Sequence, residues 1–509
     1  MKKLATLLIA AGLVFGASTD ASAIDFKASG QWLMSFDYGM NGRFTGGNGM
    51  TGYGRNNEDQ FEANQRVRLQ LDAVASEALS GTLYFEIGNT AWGRADQGGA
   101  LGADGRIIEV RRAYIDWMPP ETDLKIRMGI QGLGLPNYTM GKSQVFEDDV
   151  AAITLSYQFN ENVGVTAFWA RPYNDNYNGV TDARGTRRVN YMDNMDMGGL
   201  VLPLTFDGFK VTPYFVMAGI GPNTLTNAQG ATSYRQTVAG MLPAWGVYGS
   251  DPRINPRNTE YATAWWAGIG IDCTYWDPFH VALDFAAGGV SYESSRMNRA
   301  GWGVSLLAEY KMDWGIPGLV AWYFSGDDGD MGNGSERLPY ASLGNGDNGF
   351  SSYAFDGNKY IAREGTIGSS MAGTWGVGLR VKDVSFIEDL KHTFRINYIG
   401  GTNSPKLLKK LHRAQQRGWI AARDMPTANN WQGYAGVDNL YMTRCDSALE
   451  FGLHNEYKMY ENFTVAFDAS YIALWLDDDR ATWKGTRMNG RNRDTRDAWN
   501  LNVTFAYEF

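Results

Sequence analysis

The amino-acid sequence predicts an all-β fold, a transmembrane antiparallel β-barrel of 16–18 strands, with 18 as the best count. Three observations predict it. Runs of about ten residues alternate between apolar and polar side chains, as in a strand with one face in lipid and one in water. The connections between these runs are alternately short and long. Aromatic residues make up 13% of the chain, yet its mean hydropathy is −0.34.

The N-terminal segment has the features of a secretory signal peptide. Lys2 and Lys3 precede an apolar run over residues 4–15, and Ala21-Ser22-Ala23 forms a small-residue cleavage site. The apolar run is too short for a membrane-spanning helix. We therefore expect residues 1–23 to be removed on export and residues 24–509 to form one barrel domain.

The alternating runs give the strand count. In the last run, residues 499–509, apolar side chains occupy every second position, and Asn500, Asn502 and Thr504 lie between them. The predicted strands begin near residues 26, 62, 81, 107, 123, 150, 162, 197, 208, 261, 278, 301, 317, 373, 392, 447, 462 and 498. An even number is expected of a bacterial single-chain barrel.

The connections sort by length. The short ones are residues 76–80, 119–122, 160–162, 207–208, 277–278, 314–316, 383–390 and 461–462. The long ones are about 39–60, 89–105, 132–149, 172–196, 220–260, 291–300, 325–371, 401–446 and 477–496. Short periplasmic turns and long extracellular loops are typical of outer-membrane barrels.

Composition narrows the function. The formal net charge of −9 argues against a basic, nucleic-acid-binding protein. Cys273 lies near a short turn and Cys445 in a long loop, so we expect them at opposite rims with no disulfide between them. The four histidines lack zinc-site spacing and no Gly-x-Ser-x-Gly motif occurs. We therefore expect no enzymatic activity and no cofactor.

Basic residues occupy the polar phase of several predicted strands. They are Arg66, Arg68, Lys125, Arg127, Arg380, Lys382 and Arg395. A cation that faces lipid near the midplane costs roughly 2–4 kcal/mol, so these side chains should line the lumen. They either set ion selectivity or are paired with acidic neighbours, for which the candidates are Asp72, Glu450, Glu456 and Asp468. The consecutive Arg111 and Arg112 cannot both follow the alternation, which indicates a possible β-bulge.

The ending Tyr507-Glu508-Phe509 looks like the insertion signal of Gram-negative barrels, and the whole chain resembles the outer-membrane homotrimeric porins of sulfate-reducing bacteria. The resemblance rests on Phe26–Gly30, Arg111–Trp117, the segment from Gly134-Leu135-Pro136 to Asp149, Ser325–Asp328 and Gly334–Glu336. It implies a trimer and a general diffusion pore. General porins fold their third long loop into the lumen, which makes Glu147, Asp148 and Asp149 the candidate constriction.

Other segments carry weaker hypotheses. Asp327, Asp328 and Asp330 could bind Ca²⁺ or Mg²⁺, as could Asp477–Asp479, although solvated acidic loops are the simpler interpretation. Residues 405–417 combine five basic side chains with three leucines, which predicts an amphipathic helix that meets lipopolysaccharide or a partner subunit, or caps its loop. His454 and Glu450 are the one pair that suggests catalysis; pore lining is the simpler interpretation.

The sequence thus predicts an outer-membrane porin, a water-filled channel for passive diffusion of small hydrophilic solutes and ions. Its expected partners are outer-membrane lipids, lipopolysaccharide and two further copies of the chain, and not nucleic acid. The alternatives are a substrate-specific channel, an outer-membrane phospholipase or protease, and a structural barrel plugged by its own loops. The acidic loops favour cations and the basic wall favours anions.

Overall fold

The structure is a computed structural model. It describes residues 24–40, 60–95, 98–102, 108–176, 179–181, 187–189, 191–225, 240–243, 245, 258–341, 370–419, 441–477 and 497–509. The predicted signal peptide lies outside the described residues, so its removal stays a prediction. In the described part of the chain, no helix is long and apolar enough to cross a membrane.

The fold is a closed antiparallel barrel. Its strands are β1 (Asp25–Met40), β2 (Gln60–Ser76), β3 (Leu79–Ala91), β4 (Glu109–Trp117), β5 (Lys125–Gly134), β6 (Glu147–Gln158), β7 (Gly164–Asn174), β8 (Gly179–Thr181), β9 (Arg187–Val189), β10 (Asn194–Val201), β11 (Leu204–Phe206), β12 (Phe209–Ile220), β13 (Ala262–Cys273), β14 (Phe279–Ser291), β15 (Arg299–Tyr310), β16 (Ile316–Phe324), β17 (Thr374–Ile387), β18 (Leu390–Gly401), β19 (Ser447–Tyr460), β20 (Phe463–Trp475) and β21 (Ala498–Glu508). Among the described residues, one α-helix, α1 (Pro405–Gln416), and two short 3₁₀ helices, Pro222–Leu225 and Ser295–Met297, lie in loops.

The wall has 18 strands. The main sheet contains 19, but β10 and β11 are two parts of one wall strand, because both pair with β12 and are separated by Leu202 and Pro203. Strands β8 and β9 form a separate small hairpin. Each wall strand begins within three residues of its predicted start, which confirms the count and the order.

The first and last strands close the barrel. Strand β1 pairs with both β2 and β21 over most of its length. On the inner side of this seam, Asn500 donates to Asp37, and Asn502 donates to Ser35 at 2.7 Å. Closure matters because an unpaired strand edge cannot be hydrated in hydrocarbon.

The two faces of the wall differ as the alternation predicts. On β1, Trp32 and Met34 are exposed on the outer face, while Leu33, Ser35 and Asp37 are buried on the inner face. The other wall strands follow the same pattern, with aromatic and aliphatic side chains outside. The chain is therefore a transmembrane β-barrel, whose apolar exterior contacts lipid.

Two predicted boundaries are wrong. Strand β17 continues to Ile387, so the turn expected at residues 383–390 shortens to residues 388–389, and an irregularity in register near Asp383 lets the strand continue. Asp383 and Asp389 both have positive φ, which Asp tolerates better than most residues. Strand β6 begins at Glu147 rather than near residue 150.

Both cysteines are free thiols. Cys273 ends β13 at the rim of short turns, and Cys445 lies just before β19 at the rim of long loops. The predicted amphipathic helix is confirmed as α1. Its Leu407, Leu408 and Leu411 are fully buried, whereas the basic side chains of Lys406, Lys410 and Arg413 are exposed.

The difference between the two faces can be tested on β18. Phe394 points outward and is 45% exposed, while its neighbour Thr393 faces the lumen opposite His454. We expect Phe394→Arg to lower the free energy of unfolding by about 2–4 kcal/mol, since the cation would face lipid. Thr393→Arg is the matched control and should cost much less. Reversible denaturant unfolding in lipid vesicles measures both; equal losses would contradict the assignment of faces.

Candidate functional site in the lumen

The loop between β5 and β6 crosses the lumen. Its tip reaches β14, where the backbone N–H of Tyr138 donates to both carboxylate oxygens of Asp284 at 3.0 Å, and Thr139 N–H donates to one at 2.7 Å. The Tyr138 hydroxyl also lies 2.7 Å from Thr212 Oγ1 on β12, and Thr139 Oγ1 lies 2.6 Å from Ser305 Oγ on β15. The tip is thus fastened to three strands of the facing wall.

The rest of this loop is packed. Leu135, Met140 and Phe146 are at most 4% exposed. In the part of the loop that leads back to β6, the Val145 carbonyl accepts a hydrogen bond from the Ala341 N–H. Gln144 Oε1 accepts one from the Met371 N–H. The loop after β16 therefore rests on the loop after β5, and both narrow the lumen.

The acidic residues predicted for the constriction have three different roles. They begin β6, where they pair with Gly132–Gly134, instead of ending the loop. Glu147 accepts a hydrogen bond from the Ser143 N–H at 3.0 Å and so supports the loop. Asp149 binds two arginines, and Asp148 is exposed.

A β-bulge brings Arg111 and Arg112 to the same side of the wall. The β3–β4 register skips Arg111, because Tyr84 pairs with Arg112 and Phe85 with Val110. Both guanidinium groups then bind Asp149, with Nε to carboxylate distances of 2.8 Å for Arg111 and 2.5 Å for Arg112. Both also lie over the ring of Tyr84, at 6.0 and 5.5 Å from its centroid.

Glu86 connects these arginines to β2. Its Oε2 accepts from Arg68 Nε at 2.7 Å and from Arg111 Nη1 at 3.1 Å. Arg66 lies two residues before Arg68 on the same face. We call this group the β2–β6 cluster. Its members are Arg66, Arg68, Glu86, Arg111, Arg112 and Asp149.

The second predicted pair of cations lies on β5. Arg127 makes a two-point ion pair with Asp116 of β4, at 2.7 and 2.8 Å, and its guanidinium carbon lies 4.2 Å from the centroid of the Tyr114 ring. Lys125 Nζ lies 3.8 Å from the same carboxylate. Asp116 thus offsets one of these two positive charges.

A ladder of charges crosses β13 to β17. His280 has Nε2 2.6 Å from Asp272 and Nδ1 3.1 Å from Glu309. Glu309 in turn accepts from Arg380 at 2.7 Å and from Lys382 at 2.9 Å. Strand β16 lies between Glu309 and these cations, and it presents Gly318 at this position. A Cβ at residue 318 would come within 2.9 Å of Glu309 Cγ, so glycine keeps the path between the two strands open.

The acidic residues suggested as partners of the basic residues also contact other groups, and Glu456 Oε2 lies 3.5 Å from His454 Nε2. Asp72 accepts from Thr82 at 2.6 Å, Glu450 accepts from Asn397 at 3.0 Å, and Asp468 faces His454 Nδ1 at 2.7 Å. His454 and Glu450, the pair considered for catalysis, thus contact Asp468 and Asn397, respectively. Arg395 faces Arg380 across the β17–β18 register, on the same polar face.

Near the long-loop rim, the lumen contains a hydrophobic core. Trp266 on β13 is fully buried and donates its Nε1–H to the Pro339 carbonyl at 2.8 Å. The buried Arg299 donates to three backbone carbonyls, those of Leu242, Arg337 and Leu338. Met371, Tyr441 and the leucines of α1 complete this core. The loops that follow β16 and β18 are therefore held inside the barrel mouth.

The three aspartates considered for metal binding serve the loop itself. Asp327 is fully buried and accepts from Ser335 and from Tyr441, the latter at 2.6 Å. Asp328 and Asp330 accept backbone hydrogen bonds from Asp330 and Gly332. The described residues hold no group of three or more His, Cys, Asp or Glu that could bind a metal ion. In the second cluster, Asp478 and Asp479 lie outside the described residues.

Several functional candidates escaped the sequence analysis. Glu86, Asp116 and Glu309 occupy the polar phase of their strands, so the alternation that identified the cations could have identified these partners. Asp284 had no such signal, because its importance depends on a loop tip that is distant in sequence. The β-bulge determines to which face of the wall the Arg111 side chain points.

Comparisons with known proteins find similarity only to solved structures. No protein-family model matches the sequence, and no curated protein matches it. Among solved structures, Pseudomonas aeruginosa OccK11 (OpdR) is 10% identical with a TM-score of 0.47, covering 95% of this chain and 96% of that one. P. aeruginosa OprD is 10% identical with a TM-score of 0.47, covering 97% and 98%. Acinetobacter baumannii OccAB3 is 10% identical with a TM-score of 0.47, covering 95% and 100%.

The attachment of the loop tip to Asp284 can be tested by hydrogen exchange. We expect Asp284→Ala to speed exchange of the Tyr138 and Thr139 amides by about tenfold or more, because each loses a charge-assisted hydrogen bond. Asp72→Ala is the control, since this lumen carboxylate binds Thr82 and not the loop. Unchanged exchange in Asp284→Ala would show that packing alone holds the tip.

Loop residues 325–341 should respond to pH through Glu336. Burial, together with Asp327 and Asp328, raises the pKa of Glu336 from 4.5 to about 7. The folded loop then binds more protons than the unfolded loop between these values, so its stability should fall as the pH rises from 4.5 through 7. Hydrogen exchange of this loop, corrected for intrinsic rates, should be slower at pH 5 than at pH 8. Glu336→Gln should remove the difference; a difference that persists would assign it to another group.

Proposed function

We propose that this chain is an outer-membrane porin, a water-filled channel for passive diffusion of small hydrophilic solutes and ions. One observation carries the proposal: a closed wall of 18 strands has an apolar outside and a charged inside. Barrels of 16–18 strands leave room for an aqueous channel. Charged side chains such as Glu309 and Arg380 would be costly on the inner face of a barrel without water, so their presence there favours a water-filled lumen.

The geometry supports conduction with electrostatic filtering. The lumen charges are fixed by hydrogen bonds between neighbouring strands, as for Arg127 with Asp116 and for Arg380 with Glu309. Fixed charges in a narrow, poorly screened passage act strongly on a passing ion. The loop tip at Tyr138 and Thr139 reduces the free cross-section. Transport then follows concentration gradients and needs no cofactor.

Two alternatives are each favoured by one observation. The concentration of arginines in the β2–β6 cluster favours a substrate-specific channel. The hydrophobic core around Trp266 and Tyr441 favours a barrel whose mouth is closed by its own loops. Conductance separates the second alternative from the channel, and block by a single solute class separates the first.

We also propose that the chain forms a homotrimer, as the resemblance to trimeric porins implies, and that it contacts outer-membrane lipid and lipopolysaccharide. The exposed basic side chains of α1 supply a surface complementary to anionic lipid headgroups. Mass determination of the purified protein in detergent tests the trimer. Co-purification of lipopolysaccharide that decreases in Lys406→Gln/Lys410→Gln would support the lipid contact.

The channel proposal is tested by single-channel recording in a planar bilayer. We expect stable, ohmic conductance steps. Under a KCl gradient, the reversal potential of Glu309→Gln should shift toward the equilibrium potential of chloride, because this variant removes a lumen carboxylate. Glu293→Gln, at an exposed loop position, is the control and should leave the reversal potential unchanged. Folded protein that inserts without conducting would overturn the proposal and leave the plugged barrel.

A further inference from the structure

Arg66 is a buried cation that forms no ion pair with any described residue. Its side chain is on the lumen face of β2, and the residue is 7% exposed. Its Nε has no hydrogen-bond partner, and no carboxylate of the described chain forms an ion pair with it. Leaving a buried charge unpaired is strongly unfavourable, so such a group usually has a partner.

The wall next to Arg66 is built without an acceptor. Across β1 it faces Leu33, which is 2% exposed, and across β3 it faces Gly88. A Cβ at residue 88 would lie 2.7 Å from Arg66 Cα and Cγ, so only glycine leaves room for the arginine side chain. Both neighbours thus give Arg66 space but no negative charge.

The surroundings of Arg66 carry excess positive charge. Arg68 and Arg111 repel it, and Glu86, the carboxylate that attracts it, already binds both of these arginines. Asp149 is bound by Arg111 and Arg112. The β2–β6 cluster therefore combines four arginines with two carboxylates. Glu109, opposite Glu86 in register, is exposed to solvent, which screens its charge.

We propose that the β2–β6 cluster binds a small dianionic oxyanion, of the sulfate or hydrogen phosphate type, with Arg66 as its principal ligand. Two negative charges match the excess of two arginines over carboxylates. Several oxygen atoms suit guanidinium groups, which present planar, two-point donors. A monocarboxylate offers half the charge and should bind more weakly.

This inference names a solute class for the proposed channel, and its role in transport rests on that proposal. The binding itself does not. A dianion bound at the wall by this arginine would pass through the channel more slowly than chloride and would reach a higher concentration in the lumen. The paired arginine Arg127 offers no such site, because the two-point ion pair with Asp116 already neutralises its charge.

Isothermal titration calorimetry of the full chain in detergent micelles tests the site. Inorganic sulfate and, at pH 8, inorganic phosphate are titrated at constant ionic strength with chloride as the balancing anion. We expect saturable binding of both, and affinity lower by about tenfold or more for acetate. Absence of saturable sulfate binding would overturn the proposal, and acetate binding as tight as sulfate would overturn the dianion preference.

Variants assign the binding to Arg66. Arg66→Gln should weaken sulfate binding by about tenfold or more, whereas Arg127→Gln, the matched lumen control, should stay within about twofold. Arg66→Lys keeps the charge but loses the planar donor pair, and should weaken binding severalfold; it serves if Arg66→Gln does not fold. Binding that is equal in the folded Arg66 variants and the parent would overturn the assignment.

The two proposals fail separately. Protein that conducts ions but binds no sulfate keeps the channel and loses this site. Protein that binds sulfate through Arg66 but conducts no current keeps the site and loses the channel.

Discussion

The closed pairing of backbone groups in the wall is the constraint on which the rest of this structure depends. In hydrocarbon, a free N–H or C=O group has no water to bind, so every strand edge needs a neighbour. Strand β1 meets this need twice, by pairing with β2 and with β21. Because the hydrogen-bond register is then fixed around the ring, each inward side chain has a fixed neighbour on the next strand. The lumen chemistry follows from that register.

The register explains why the inner charges occur in short chains across strands. Arg68, Glu86 and Arg111 connect β2, β3 and β4, and Asp272, His280 and Glu309 connect β13, β14 and β15. In the first chain a carboxylate lies between two arginines, and in the second a histidine lies between two carboxylates. Such pairs hold long side chains against the wall, which keeps the passage open. Arg66 differs from this pattern because leucine and glycine lie on either side of it.

Strand positions and faces could be predicted from the sequence because alternation is local. The start of every wall strand was predicted to within three residues, and the polar phase of residues such as Arg127 followed from the alternation. The partner of each charge could not be predicted, because Asp116 and Glu309 meet their cations only once the register is known. The bulge at Arg111 and the contact between Thr139 and Asp284 depend on distant packing, which no local pattern contains. The acidic residues Glu147 and Asp149 were assigned to a loop because the length of β6 is decided by pairing with β5.

The attachment of one loop to the facing wall also has a mechanical consequence. The segment between β5 and β6 starts from one side of the ring and ends at Asp284 on β14, with β7, β10, β12 and β13 between these points. A ring of strands is stiff along each strand but bends easily into an oval. A segment tied at both ends acts as a cross-brace against that deformation. Lateral pressure from the bilayer would therefore act on the width of the passage through the contacts of Tyr138 and Thr139 with β12, β14 and β15, and a barrel of this size could keep a round section without a thicker wall.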